Sequence, residues 1–302
     1  MTTLATARTI ASDIKIAHSV FALPFAVLGA VMAAAPAGTA VDWRRFAGQL
    51  ILVVLAMVFA RTVAMLSNRL LDRQIDARNP RTAARALPAG RLSSRQAATA
   101  LGLSSALFIA VCLAFGLWYG NWWPTVLGPP VLVWISAYAL TKRFTAACHL
   151  YLGSSLAMSP LAAALAVNPD ALITQPALWL LAAMVLTWVA GFDVIYALQD
   201  VEIDRSQGLH SMPARLGLGR AMWASRALHA VSAACLIVAV LLDPRLRWLT
   251  AVAVVCVVAL LVWEHLTVRR WGTTKIAMAF FTANGVISCL LGAAAATDVL
   301  LG

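Results

Sequence analysis

Charge is scarce in this sequence. Of 302 residues only 12% are Asp, Glu, Lys or Arg, while 62% are hydrophobic and mean hydropathy is +0.85. A soluble domain of this length needs more polar surface than that, which excludes a water-soluble globule. Acidic residues are the scarcer sign, 12 against 23 basic, for a net charge of +11. Cys is also sparse. The five, Cys112, Cys148, Cys235, Cys256 and Cys289, stand singly in or beside apolar runs, without a CxxC pair or a nearby His at ligand spacing. That excludes a disulfide framework and a zinc site. No basic stretch interleaved with aromatics and no nucleic-acid motif is present. The positive charge therefore reads as a topology signal and a contact for anionic lipid, with no nucleic acid as partner.

What the chain has in abundance is apolar runs long enough to cross a bilayer. Nine are expected: Ile14–Ala35, Phe46–Leu66, Ala97–Tyr119, Trp123–Leu140, Cys148–Val167, Ala177–Tyr196, Ala221–Leu242, Trp248–Trp263 and Ile276–Ala296. The chain reads as one all-α polytopic membrane domain over residues 1–302. The first run is too long for a signal-peptide core and carries Lys15 and His18 at its start, so it is expected to span. Basic residues concentrate at the N-terminus and after the second, fourth, sixth and eighth runs. By the positive-inside rule this places the N-terminus and those loops in the cytoplasm, at the inner cell membrane. Trp122, Trp123, Trp248 and Trp271 sit near run ends, as an interfacial belt requires.

Four of the few acids form two matched pairs. In SNRLLDRQID, Asn68, Asp72 and Asp76 stand at i, i+4 and i+8, and Arg61 lies seven residues before Asn68. A continuing helix would carry all four on one face. In GFDVIYALQDVEID, Asp193, Asp200 and Asp204 repeat intervals of seven and four at the end of another run. Ionisable groups at membrane depth cost roughly 2.5–3.5 kcal/mol each and mark function by default. Carboxylates one turn apart repel without a cation between them. Mg²⁺, which completes its shell with phosphate oxygens and water, is the expected compensation, and two facing Asp clusters would hold a diphosphate between metal ions. The loop after Asp76 is broken by Asn79-Pro80 and by Leu87-Pro88-Ala89-Gly90. In it Arg81 and Arg85, four apart, have the planar fork that suits phosphate oxygens.

These stretches resemble the UbiA superfamily of intramembrane aromatic prenyltransferases. NRLLDRQID resembles its NDxxDxxxD motif, DVEID its DxxxD motif, RTAARALPAG its RTxxRPLPxG loop, and YALTKR (Tyr138 to Arg143) its Tyr-Lys segment. IKIAHSVFALPFA resembles the first helix of bacterial members. Arg69 departs from the pattern, standing where many members have Asp. That leaves Asn68, Asp72, Asp76, Asp200 and Asp204 as the metal ligands the resemblance implies. It further implies a helix bundle around a central cavity, Mg²⁺ as cofactor and a polyprenyl diphosphate as donor. The acceptor would be a small aromatic acid on a quinone pathway, with 4-hydroxybenzoate and 1,4-dihydroxy-6-naphthoate both open.

Other residues fall into place around that expectation. Lys142 and Arg143 end the fourth run, where positive charge is favourable in itself, and the resemblance makes Lys142 a diphosphate contact. Arg61 is too deep to snorkel and is expected to face the cavity. Asp193 and Tyr196 position the acceptor, take its proton, or simply pack between helices. Lys15 and His18 either contact an acceptor carboxylate or the diphosphate, or are ordinary residues at the start of the first run. A cation-coupled transporter is the rival reading, but it calls for inverted halves with ionisable groups at the midplane. Here both clusters lie at one edge.

Overall fold

The computed structural model describes residues 3–13, 21–36 and 40–301; Lys15 and His18 lie outside them. A short helix α1 (Thr3–Asp13) precedes α2 (Leu23–Ala34). Then come α3 (Trp43–Leu71), the one-turn α4 (Arg73–Arg78), α5 (Ser94–Tyr119), α6 (Trp123–Thr141), α7 (Cys148–Val167) and the short α8 (Ala171–Thr174). They are followed by α9 (Pro176–Ala197), α10 (Val201–Ser206), α11 (Met212–Leu216), α12 (Leu218–Leu242), α13 (Trp248–Trp271) and α14 (Ile276–Leu301). Every regular element among the described residues is helical.

Eight of these segments are long and apolar enough to cross a membrane, which makes this a multi-pass membrane protein. The expected ninth, Ile14–Ala35, lies partly outside the described residues, at 14–20. Of the run Ile14–Ala35, the described helix is Leu23–Ala34, starting with Pro24 in its first turn. Pro is suited to a helix start, since its missing N–H would have no partner there. Elsewhere helices outrun the apolar stretches, α13 to Trp271 and α14 to Leu301, because backbone hydrogen bonding does not stop where hydropathy does.

Helix α9 is central, packed mainly against α7 and α12. Three hydroxyl and ring donors of α12, at i, i+4 and i+7, reach its carbonyls: Ser225 to Gly191, His229 to Trp188 and Ser232 to Met184. Buried donors that find backbone acceptors fix one register for two otherwise apolar helices. The crossing of α7 with α9 depends on Gly153. A Cβ there would stand 2.2 Å from the Leu186 carbonyl oxygen. Gly153→Val is therefore expected to cost about 1–3 kcal/mol by overpacking, read as a lowered midpoint of thermal unfolding in detergent. An unchanged midpoint would show that the helices part freely.

Helix ends gather into two polar layers. At one end, Arg245 pairs with Asp243 (2.6 Å) and donates to the carbonyls of Met32 and Ala35, satisfying the C-terminus of α2. At the other lie the ends of α3, α6 and α9 with both Asp pairs.

Candidate active site

The expectation of one continuous helical face is corrected at both motifs. Helix α3 stops at Leu71 and Asp72 takes φ −94°, ψ 6° before α4 begins. Helix α9 stops at Ala197, and a 3₁₀ turn leads to Asp200 at φ −110°, ψ 6° before α10. Each chain bends at the first carboxylate of its pair. The backbone ladder nonetheless passes through the first bend, with Asp72 N–H on the Asn68 carbonyl (2.9 Å) and Asp76 N–H on the Asp72 carbonyl (2.8 Å).

The first bend sets Asp72 among donors. It is 1% exposed and accepts from Lys142 Nζ (2.6 Å), Asn68 Nδ2 (2.9 Å) and Arg143 (3.3 Å). Arg143 also donates to the Leu71 carbonyl at 2.7 Å, closing the end of α3. Asp76, also buried, takes both oxygens to Arg85 at 2.8 Å. On the second motif Asp200 receives Arg81 Nε (2.9 Å) and Nη2, and Asn79 Nδ2 at 2.9 Å. Asp204 is held by the Ser211 hydroxyl. Residues just after the first motif thus bind the second, so the loop 79–93 is the link between the two helix ends. Burial opposes the charge on Arg81, but its hydrogen bonds to Asp200 together with the charges of Tyr196, Asp200 and Asp76 carry its pKa above the ordinary value.

No three acidic, His or Cys side chains converge at metal-ligand spacing among the described residues. Asn68, Asp72, Asp76, Asp200 and Asp204 do not form one acidic cluster. Like charges part, and each carboxylate has a basic or hydroxyl partner instead. The donor set still suits Mg²⁺, since all the groups are hard oxygens on two adjacent helix ends. Their cationic partners Lys142, Arg81 and Arg85 are 26–31% exposed, so these long side chains have room to leave the carboxylates.

Beneath lies a cavity of about 1210 Å³. Its walls are apolar residues of α3, α5, α6, α7 and α9, among them Met57, Phe108, Ile135, Leu156 and Phe192. Its polar rim comprises Arg61, Asn68, Arg69, Arg81, Arg85, Tyr138, Asp193 and Tyr196, with Arg8 and Asp13 of α1. Arg61, Asp193 and Tyr196 thus line the cavity. Asp72, Asp76, Asp200, Asp204, Lys142 and Arg143 lie outside the lining, in the layer behind it. Tyr196 is tied to the Asp200 side of the rim: Arg81 Nη1 donates to its hydroxyl at 2.9 Å and the Arg81 guanidinium lies 5.1 Å from the ring centroid.

Three features had no signal in spacing. Asp13 pairs with buried Arg69 at 3.0 Å and accepts from the Ala86 amide at 2.7 Å, docking α1 on the loop. Asn79 accepts from the Arg81 amide while donating to Asp200. His149 at the start of α7 meets Asp193 at 2.7 Å. The first is a pairing 56 residues apart, which periodicity does not register.

A model of the UbiA prenyltransferase family matches residues 22–286. A 4-hydroxybenzoate octaprenyltransferase of Nitrosomonas eutropha is 32% identical over 170 residues, 56% of each chain. A 4-hydroxybenzoate solanesyltransferase of Synechocystis is 35% identical over 147 residues, 48% of this chain and 47% of that one. The chain spans about half the length of the curated relatives it matches. Among solved structures, the apo structure of a UbiA homolog from Aeropyrum pernix K1 superposes with a TM-score of 0.80 at 31% identity, over 93% of this chain and 98% of that one. A UbiA homolog from Archaeoglobus fulgidus bound to GPP and Mg²⁺ shares the fold, with a TM-score of 0.71 at 17% identity over 97% of this chain and 100% of that one. With two Asp-bearing helix ends linked by an Arg loop over an apolar cavity, the chain belongs to the UbiA prenyltransferase family.

Proposed function

We propose that this protein is an aromatic prenyltransferase that moves a polyprenyl group from its diphosphate to a hydroxylated aromatic acid resembling 4-hydroxybenzoate, in quinone biosynthesis. One observation carries the reading: two carboxylate pairs joined by cations stand directly above an apolar cavity of about 1210 Å³. An isoprenoid tail needs such walls, and its diphosphate needs such a head. Asp72 and Asp76 with Asn68, and Asp200 with Asp204, would hold Mg²⁺. Bound there, Mg²⁺ would stabilise negative charge on the leaving diphosphate.

The chain's own residues supply the rest. Lys142, Arg81 and Arg85 exchange their carboxylate partners for diphosphate oxygens, so that their charge faces the C–O bond as it breaks. The apolar walls keep water from the allylic cation. Arg61 and Arg69 present fixed positive charge below the diphosphate, where an acidic acceptor is held. The ring attacks the allylic carbon, and Asp193, on the rim, is the carboxylate that receives the ring proton. The positive-inside pattern sets this rim toward the cytoplasm of the inner membrane, where donor and acceptor meet.

The test is prenyl transfer by purified protein in liposomes, with a polyprenyl diphosphate and both 4-hydroxybenzoate and 1,4-dihydroxy-6-naphthoate. Product on the benzoate, lost with EDTA and restored by Mg²⁺, is expected. Product on the naphthoate alone would move the protein to menaquinone synthesis by the same chemistry. No transfer, together with no Mg²⁺-dependent binding of the diphosphate, would overturn the reading.

A further inference from the structure

His149 is engaged at both ring nitrogens, and the two partners define its proton. The Met212 amide N–H reaches Nε2 at 3.1 Å. An amide N–H only donates, so Nε2 presents its lone pair and the ring proton sits on Nδ1. Nδ1 lies 2.7 Å from Asp193 Oδ2. The neutral ring is thus a donor aimed at one oxygen of Asp193. It is 3% exposed, whereas the Asp193 side chain is 24% exposed on the cavity rim.

The segment that supplies the Met212 amide serves the second Asp motif as well. The adjacent Ser211 hydroxyl holds Asp204, the Leu209 amide bonds the Asp204 carbonyl at 2.7 Å, and the His210 amide bonds the Lys142 carbonyl at 2.7 Å. Consecutive residues, Ser211 and Met212, therefore fix a carboxylate on the diphosphate side and the histidine on the acceptor side.

We infer that His149 is the positioning residue for deprotonation of the acceptor ring, an assignment that rests on the prenyltransferase reading above. The allylic C–O bond breaks with its electron pair going to the diphosphate, and a ring π pair forms the new C–C bond. The proton on that ring carbon then passes to the Asp193 oxygen that His149 does not hold. The C–H pair returns to the ring, and Asp193 later gives the proton to water at the rim. His149 keeps its own proton throughout. Its task is to stop Asp193 from rotating toward the nearby cations, and the 207–212 strap fixes its tautomer.

The experiment measures kcat, acceptor KM and donor binding separately on the full chain in liposomes. His149→Leu is expected to lower kcat about 10- to 100-fold, the range for a partner that orients a reacting group, with donor affinity unchanged. His149→Asn, whose amide N–H₂ stands near the position of Nδ1–H, should recover most of that loss. The double variant His149→Leu with Asp193→Asn should be no slower than Asp193→Asn alone, because the histidine acts only through the aspartate. Met212→Pro removes the amide donor along with the half-buried thioether side chain; Ser211 at φ −56°, ψ 150° already has the conformation that precedes Pro. It should cost about 2- to 10-fold in kcat, as one hydrogen bond does. A His149→Leu protein with unaltered kcat overturns the inference alone. So does equal loss of donor affinity in the Leu and Asn variants, since that marks a packing role. An unsubstituted protein that transfers no prenyl group and binds no diphosphate overturns the prenyltransferase reading and this inference with it.

Discussion

Asp72→Ala is expected to lower kcat for prenyl transfer by about 10³-fold, the scale seen when a preorganised electrostatic group is removed from a reacting site. The side chain is 1% exposed and gathers Asn68, Lys142 and Arg143. Removing one member of a buried ion pair ordinarily costs about 3–5 kcal/mol, because the other charge stays buried and unpaired. Here the partners Lys142 and Arg143 are 29% and 41% exposed. They can turn to water, so the protein should fold with a smaller loss than that. Activity and stability separate cleanly in Asp72→Asn, which keeps the shape and removes the charge. It should unfold within a few degrees of the unsubstituted protein yet transfer almost nothing, and Mg²⁺ titration should shift to much higher concentration. Retention of a tenth or more of the activity by Asp72→Asn would show that this carboxylate neither holds the metal nor orders Lys142.

The spans were legible because hydropathy is a property of segments. A run such as Leu50 to Leu66 stays apolar whatever it packs against, and helix is the open-chain fold that satisfies its backbone in lipid. The Asp pairs were legible because an i, i+4 repeat of carboxylates beside an apolar run is costly and therefore meaningful. What was not legible belongs to single residues or to distant pairs. The bend at Asp72 lies in one residue's φ and ψ, the break at Asp200 in a three-residue 3₁₀ turn, and no period in the sequence encodes either. The link between Asn79, Arg81 and Asp200 spans about 120 residues, and that between Asp13 and Arg69 spans 56. His149 is a lone polar residue at a helix start, and only the arrival of Asp193 from α9 distinguishes it from a packed ring. Arg69 is the instructive departure. The family pattern made it an anomaly among metal ligands, whereas the structure gives it a partner of its own in Asp13 and joins it to Asn68 at 2.8 Å. The substitution at that position leaves the four carboxylates untouched and adds a fixed cation to the rim.

Arg81→Lys should be nearly as damaging as Arg81→Met, each lowering kcat/KM for the donor by about 10²-fold. Charge alone does not explain what Arg81 does. Its fork takes both oxygens of Asp200, its third nitrogen reaches the Tyr196 hydroxyl, and its plane lies over the tyrosine ring. An ammonium has neither the planar fork nor the stacking face, so Lys cannot span Asp200 and Tyr196 together. The consequence reaches both motifs, because Arg81 is anchored on the loop that starts at the first motif and closes on the second. Loosening it frees Asp200 to turn away and removes a cation that would otherwise meet the diphosphate. Tyr196→Phe deletes one hydrogen bond and keeps the ring, so it should cost only about 2- to 10-fold. The diagnostic result is the order of activities, with Arg81→Lys close to Arg81→Met and both far below Tyr196→Phe. It is read from initial rates across donor concentration, with calorimetric binding of inorganic diphosphate in parallel. If Arg81→Lys keeps most of the activity, Arg81 supplies only charge, and the coupling of the two Asp helix ends must rest on Asn79 and Lys142 instead.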